Sequence, residues 1–362
     1  MKRTGMVAAL VLLVASACGP ASGRVATGSP SAGRSTAPVL ATLDRTCSLP
    51  IATVDAPAGG TVGSGVVGGG GFVEFPSRKF VSDVASMSTF VSGHWVPVPR
   101  SWVSPDGSRF AYVINNGEAI AHVVTIATGQ ETTITVTPPT SVASPARVLQ
   151  SGEKVVAFES DGIYLETVPA NSDVAPYGLA LLDPVTGGYE PHLFRWVDSI
   201  AGPMSPEHSY LTVHNGIAYS GSQVKGSDTI PNLGPLPHFN EIFSTPLYGF
   251  RYGMGQVWSS DSWVWLIGFD GDEQPIVAAE SASSYRIYTG NLFGDGLVSA
   301  PVFVGKPGDP NNPTGAVGDG RGIWFGSDSG VIWYYPGAGA QFEPVAVAPF
   351  HPVRIAGLCA AE

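Results

Sequence analysis

A chain of 362 residues with a formal charge of −11 and no local cluster of Lys and Arg lacks the basic footprint that phosphate backbones require, which excludes nucleic-acid binding. Its 46 glycines and 31 prolines interrupt every stretch that could form a long helix. With only 13% of residues charged, the composition suits a compact sheet protein and excludes a helical bundle.

Met1, Lys2 and Arg3 form a short basic start, and the apolar run from Val7 to Val14 is too short to span a bilayer. This pattern predicts a signal peptide over residues 1–17 and places the mature protein outside the cytoplasm. The segment Leu12-Leu13-Val14-Ala15-Ser16-Ala17-Cys18 resembles a bacterial lipobox, with small residues directly before a cysteine. The resemblance implies that the Cys18 thiol carries a diacylglyceryl group. Two acyl chains, at ~0.8 kcal/mol per buried CH₂, are enough for stable attachment to the outer face of the cell membrane. An ordinary cleavage site at Ala15-Ser16-Ala17 is the alternative.

From Cys18 to Thr46 the sequence is dominated by Ser, Thr, Ala, Gly and Pro, which cannot bury a core and reads as a flexible tether. From Cys47 onward valine and the aromatic residues take over, so residues 47–362 are the expected folded domain. Three cysteines in an exported chain leave one over unless it is otherwise used. Lipidation of Cys18 leaves Cys47 and Cys359, which bracket the domain and suit a bridge between its first and last strands. Two free thiols are the other reading.

Gly63-Ser64-Gly65-Val66-Val67-Gly68 has the spacing of a dinucleotide loop, but Phe72-Val73-Glu74-Phe75-Pro76 follows where such a loop needs a helix. A close-packed turn or strand is the plain reading. Beyond it the chain is a succession of short segments rich in Val, Ile, Tyr, Phe and Trp bounded by turn residues, the pattern of an all-β fold.

Ser104-Pro105-Asp106-Gly107 turns into the alternating strand Ser108-Arg109-Phe110-Ala111-Tyr112-Val113. Related turns begin at Ser151, Ser205, Asp270 and Asp319, spaced about 45–64 residues apart. A second element repeats as well: Val123-Val124-Thr125-Ile126-Ala127-Thr128-Gly129 is echoed by Ala180-Leu181-Leu182-Asp183-Pro184-Val185-Thr186-Gly187. A unit of about fifty residues holding several strands is a propeller blade, whose faces are buried only by stacking on neighbours. Division gives a β-propeller of six blades. The widest gap leaves a seventh open, although Pro231-Asn232-Leu233-Gly234-Pro235-Leu236-Pro237 reads as an inserted loop. Pro352–Cys359 reads as a strand returning to the N-terminal one, so that N- and C-terminal strands close the ring.

The Ser104-Pro105-Asp106-Gly107 unit is similar to the repeat of TolB-like and WD40-like propellers. Asp319-Gly320-Arg321-Gly322-Ile323-Trp324-Phe325-Gly326 with Gly330-Val331-Ile332-Trp333-Tyr334 resembles sensor-type and streptogramin-lyase-like repeats. The whole chain resembles uncharacterised actinobacterial propeller lipoproteins. These resemblances imply architecture, and none transfers a catalytic residue.

No nucleophile elbow, zinc helix or phosphate loop occurs, so no catalytic residue, metal ligand or cofactor is assigned from motifs. His192, His208, His214 and His238 fall close together without ligand spacing, and His214-Asn215-Gly216 reads as a hairpin turn. Asp270, Asp272 and Glu273 offer carboxylates for calcium but lack further ligands. Trp258, Trp263, Trp265, Tyr285, Tyr288, Trp324, Trp333, Tyr334 and Tyr335 could stack on sugars, and blade cores use the same rings. The leading expectation is a non-catalytic binding or scaffolding lipoprotein for a protein, peptide or glycan ligand. A hydrolase or lyase acting at the channel mouth is the alternative.

Overall fold

The computed structural model describes residues 38–53, 69–84, 88–137, 152–168, 177–195, 209–224, 229–230, 234–235, 239–246, 255–256, 263–289, 300–337 and 339–360. The expected signal peptide, Cys18 and the loop Gly63–Gly68 lie outside them. So do most of the tether and His208, His238 and Trp258. Among the described residues no helix is long and apolar enough to cross a membrane.

Short β-branched and aromatic segments separated by Gly, Pro and Asp turns form small antiparallel sheets, taken here in chain order. Strands β1 (Cys47–Ala52), β2 (Gly70–Phe75) and β3 (Lys79–Val84) open the domain, followed by the hairpin β4 (Thr89–Val91) and β5 (His94–Val96). Sheet 2 holds β6 (Arg109–Asn115), β7 (Ala119–Thr125) and β8 (Glu131–Thr135). Sheet 3 runs β9 (Gly152–Glu159), β10 (Gly162–Val168), β11 (Tyr177–Leu182) and β12 (Tyr189–Arg195).

Sheet 4 starts with β13 (Ser209–His214) and β14 (Ile217–Val224). It makes an excursion through the small hairpin β15 (Thr229–Ile230) and β16 (Gly234–Pro235), then finishes with β17 (Phe239–Pro246) and β18 (Gly255–Gln256). The proline-rich stretch expected to be an insertion falls on this excursion. Sheet 5 holds β19 (Trp263–Phe269), β20 (Pro275–Glu280), β21 (Tyr285–Tyr288) and β22 (Phe303–Gly305). Sheet 6 holds β23 (Pro313–Gly318), β24 (Ile323–Ser327), β25 (Val331–Tyr335) and β26 (Glu343–Val347). Finally β27 (Arg354–Ile355) pairs with β1, making the order of sheet 1 β27-β1-β2-β3.

Burial shows how the sheets relate. A sheet with one wet face alternates buried and exposed residues, but β24 is buried at all five positions and β20 at its first five. Ile323 and Phe325 join the core of sheet 5 with Ile276 and Ile287, whereas Trp324, between them, joins Leu49, Val73 and Phe75 of sheet 1. Sheet 3 is sandwiched in the same way: Ile163 and Leu165 pack with Val113 and Val123 of sheet 2, and Tyr164 with Val213 and Ala218 of sheet 4. Trp324 is wholly buried, and a ring of that size contributes about 4–6 kcal/mol by area alone.

First strands approach first strands, β9 on β13, β19 on β23 and β23 on β27. The approach is close enough that a Cβ on Gly268 would lie 2.2 Å from the Ala316 carbonyl oxygen. Face-to-face stacking in chain order, with first strands converging and the first sheet completed by the chain end, is a β-propeller.

Closure joins the chain ends as expected. Cys47 and Cys359 are disulfide-bonded with Cα atoms 5.5 Å apart, Ile51 and Ala52 pair with Ile355 and Arg354, and Ser48 bridges to Ala360. Residues 39–46, which composition places in the tether, are bonded to the domain. Ala41 donates to Pro344 O and accepts from Arg78, and Arg45 forms an ion pair with Asp319.

The repeat itself needs re-registering. The turns at Ser104, Asp270 and Asp319 lead into second strands. The proposed copies at Ser151 and Ser205 instead fall where the first strands β9 and β13 begin. The matching turns in sheets 3 and 4 are Ser160-Asp161 and Asn215-Gly216. Among the described residues sheet 2 has no regular first strand, and Pro99–Val103 takes its place through a bridge between Val103 and Phe110. Gly, Pro and Asp punctuate the turns at both ends of these sheets, so composition alone does not tell one end from the other.

Candidate functional site

The turns between first and second strands of sheets 2 to 6 lie at one end of the ring and are linked in series, with the β4–β5 hairpin joining sheet 1 to sheet 2. Phe90 N donates to Ala356 O across from sheet 1, and Gly107 of sheet 2 lies against Ser92. The Arg109 guanidinium sits 5.3 Å above the Phe158 ring of sheet 3. Glu159 of sheet 3 faces His214 of sheet 4, whose neighbour Asn215 donates to Glu273 of sheet 5. Gly271 abuts the backbone of Gly320 in sheet 6, and Asp319 meets Arg45 beside Cys359. The result is a belt running through sheets 1 to 6, as numbered here, and back to the first.

Within the belt, the Ser104 hydroxyl donates to Asp106 and accepts from the Arg109 amide. Hydrogen bonds, the strongest from Ser104 and then those from Ser108, hold the Asp106 carboxyl down at about 2. Asp270 accepts the amides of Asp272 and Gln274, so its carboxylate is used inside its own turn. Among the described residues no group of three His, Cys, Asp or Glu side chains is placed to hold a metal ion.

The convergent chemistry of the belt lies at His214. Its Nδ1 is 3.7 Å from Glu159 Oε1 and its Nε2 3.9 Å from Glu273 Oε2, while the ring packs on Phe269 at 4.1 Å. His214 is the last residue of β13, and the Asn215-Gly216 turn that follows is the hairpin expected from sequence. Asn215 and Gly216 both take positive φ there. Three sheets thus contribute one ionisable side chain each to a single point.

Other polar groups lie elsewhere. On sheet 2, Glu131 Oε1 accepts from Tyr112 at 2.8 Å and contacts His122 Nδ1 at 2.5 Å, with the Tyr112 and His122 rings stacked. Partial burial, and then the bond to Glu131, push the Tyr112 hydroxyl up to about 12. Glu153 and Glu166 are buried near the opposite end, where Lys154 lies 3.8 Å from Glu166 and the Asn115 side chain brackets the backbone of Glu153.

Most of the rings offered for sugar stacking are spent on the core. Tyr285, Tyr288, Trp324, Tyr334 and Tyr335 are buried, and the half-buried Trp333 donates to Asn311 O. The side chains of His192, Trp263 and Trp265 lie outside the described set. An aromatic group not anticipated from sequence is Phe72, Phe90 and Trp95, with centroids 5.0–5.7 Å apart and the indole donating to Asp83.

No family model matches the chain, and no curated protein matches it. Solved structures that it is similar to include the PQQ-bound aldose sugar dehydrogenase of Streptomyces coelicolor. That match has 13% identity and a TM-score of 0.40, over 72% of this chain and 88% of that one. The β-propeller domain of the Trilobed protease from Pyrococcus furiosus matches at 12% identity and a TM-score of 0.40, over 84% and 86%. BamB from Moraxella catarrhalis matches at 12% and 0.35, over 86% and 92%. At such identities and scores nothing about activity carries over.

Proposed function

We propose that this chain is an exported, lipid-anchored propeller of six blades that presents a binding surface for a protein, peptide or glycan at the outer face of the cell membrane. The observation that carries the reading is the course of residues 39–46. They run along the belt end of the ring and are fixed there at Ala41 and Arg45, so the chain leading from Cys18 joins the ring at that end. Rigid closure by the Cys47–Cys359 bridge suits a platform that must not open under load.

Two measurements test this. Cys18→Ser is expected to move the protein from the membrane fraction to the medium, and an unchanged distribution overturns the anchor. The secreted ring, offered arrays of envelope glycans and peptides, is expected to bind without consuming its ligand.

A hydrolase or lyase is the second reading, favoured by His214 between two carboxylates, groups suited to general acid–base work. Turnover of a glycoside, ester or lactone panel that is lost in His214→Ala would replace the binding reading with this one.

A further inference from the structure

We infer that His214 is a proton-operated latch that draws sheets 3, 4 and 5 together when its imidazole is charged. The reasoning starts from donor counting. A neutral imidazole has one N–H and one lone pair, yet both its nitrogens face carboxylate oxygens, which only accept. Whichever tautomer forms, one nitrogen is opposed lone pair to lone pair. Consistent with this, Nε2 is buried without a hydrogen-bond partner. The imidazolium has two donors, one for Glu159 and one for Glu273, and only that form satisfies both.

The separations of 3.7 and 3.9 Å exceed a charge-assisted hydrogen bond by about 1 Å, so each contact has a short distance left to close. Such a movement tightens the join between sheet 4 and both neighbours. The described charged groups facing His214 are Glu159 at the end of β9 and Glu273 in the β19–β20 turn, and among the described residues neither is paired with a lysine or arginine. Nearby Asp161 is bonded by the Tyr164 hydroxyl and Asp270 by its own turn amides, while Phe269 and Tyr219 supply the aromatic wall. This inference does not depend on what the ring binds.

Both contacts can be made only by the two-donor imidazolium, so the added hold is expected on the acid side of neutrality and is absent in alkaline solution. It also requires both carboxylates to be ionised, so the test scans the mildly acidic to mildly alkaline range.

The test is thermal unfolding of the full exported chain from pH 5 to 8. Wild type is expected to gain about 2–4 °C in Tm at pH 5.5 relative to pH 8 over and above His214→Gln, the other histidines contributing equally to both. Glu273→Gln, at an exposed position, is expected to remove about half of that difference and serves as the test where His214→Gln fails to fold. Superimposable pH profiles for wild type and His214→Gln overturn the latch, as does a Glu273→Gln profile identical to wild type.

Discussion

Replacing Cys47 and Cys359 together by alanine is expected to lower unfolding free energy by about 2–4 kcal/mol. The bridge spans 312 residues of sequence, so the chain-entropy ceiling is higher, about 5–6 kcal/mol. The realised value is smaller because the ends are also held by other bonds. These are the pairs of Ile51 and Ala52 with β27, Ala356 N to Pro50 O, and Arg45 on Asp319. Urea unfolding measures the loss, and the m-value is expected to rise because the unbridged denatured chain exposes more surface. Hydrogen exchange should locate the weakness, with amides of β27 and the facing part of β1 exchanging first while sheet 3 stays protected. Equal protection across the sheets, or unchanged stability, would show that the bridge is incidental to closure.

Asp319→Ala is expected to cost about 3–5 kcal/mol, more than truncation of an ordinary surface acid by an order of magnitude. Its side chain is 2% exposed and accepts from Trp324 Nε1 at 2.6 Å and the Arg321 amide at 3.0 Å, while Arg45 Nη1 lies 2.7 Å away. Alanine leaves a nearly buried guanidinium without its counter-charge and an indole N–H without an acceptor. Arg45→Met is expected to cost less, about 1–2 kcal/mol, since an apolar chain can still cover Trp324 and Asp319 keeps its two N–H donors. Denaturation followed by tryptophan fluorescence distinguishes the two variants. Equal losses would mean that the cation, not the carboxylate, organises this corner.

Architecture was readable because each of its signals is local. Glycine and proline spacing bars long helices, and aromatic and β-branched runs between turns mark strands. The registration of the repeat was less legible, because turns at both ends of these sheets use the same residues. That slip hid the belt: Glu159 and His214 are each the final residue of a first strand, a match that emerges only when Ser160-Asp161 and Asn215-Gly216 are aligned. Proximity of Glu159, His214 and Glu273 is a product of stacking sheets whose turns are some fifty-odd residues apart, and no linear motif records it. The aromatic residues were visible, but not their fate. Strand pairing sends Trp324 and Tyr334 into the seam with sheet 1, and Tyr285 and Tyr335 into the seam between sheets 5 and 6.

Ser48 bridges to Ala360 at the edge where Arg45 and Cys47 bring the leading segment in, so both termini of the ring leave through one doorway. A reporter or cargo fused after the last described strand would therefore emerge beside the segment that enters at Arg45. Labels meant to watch the opposite end of the ring belong on internal loops at the far ends of the strands instead.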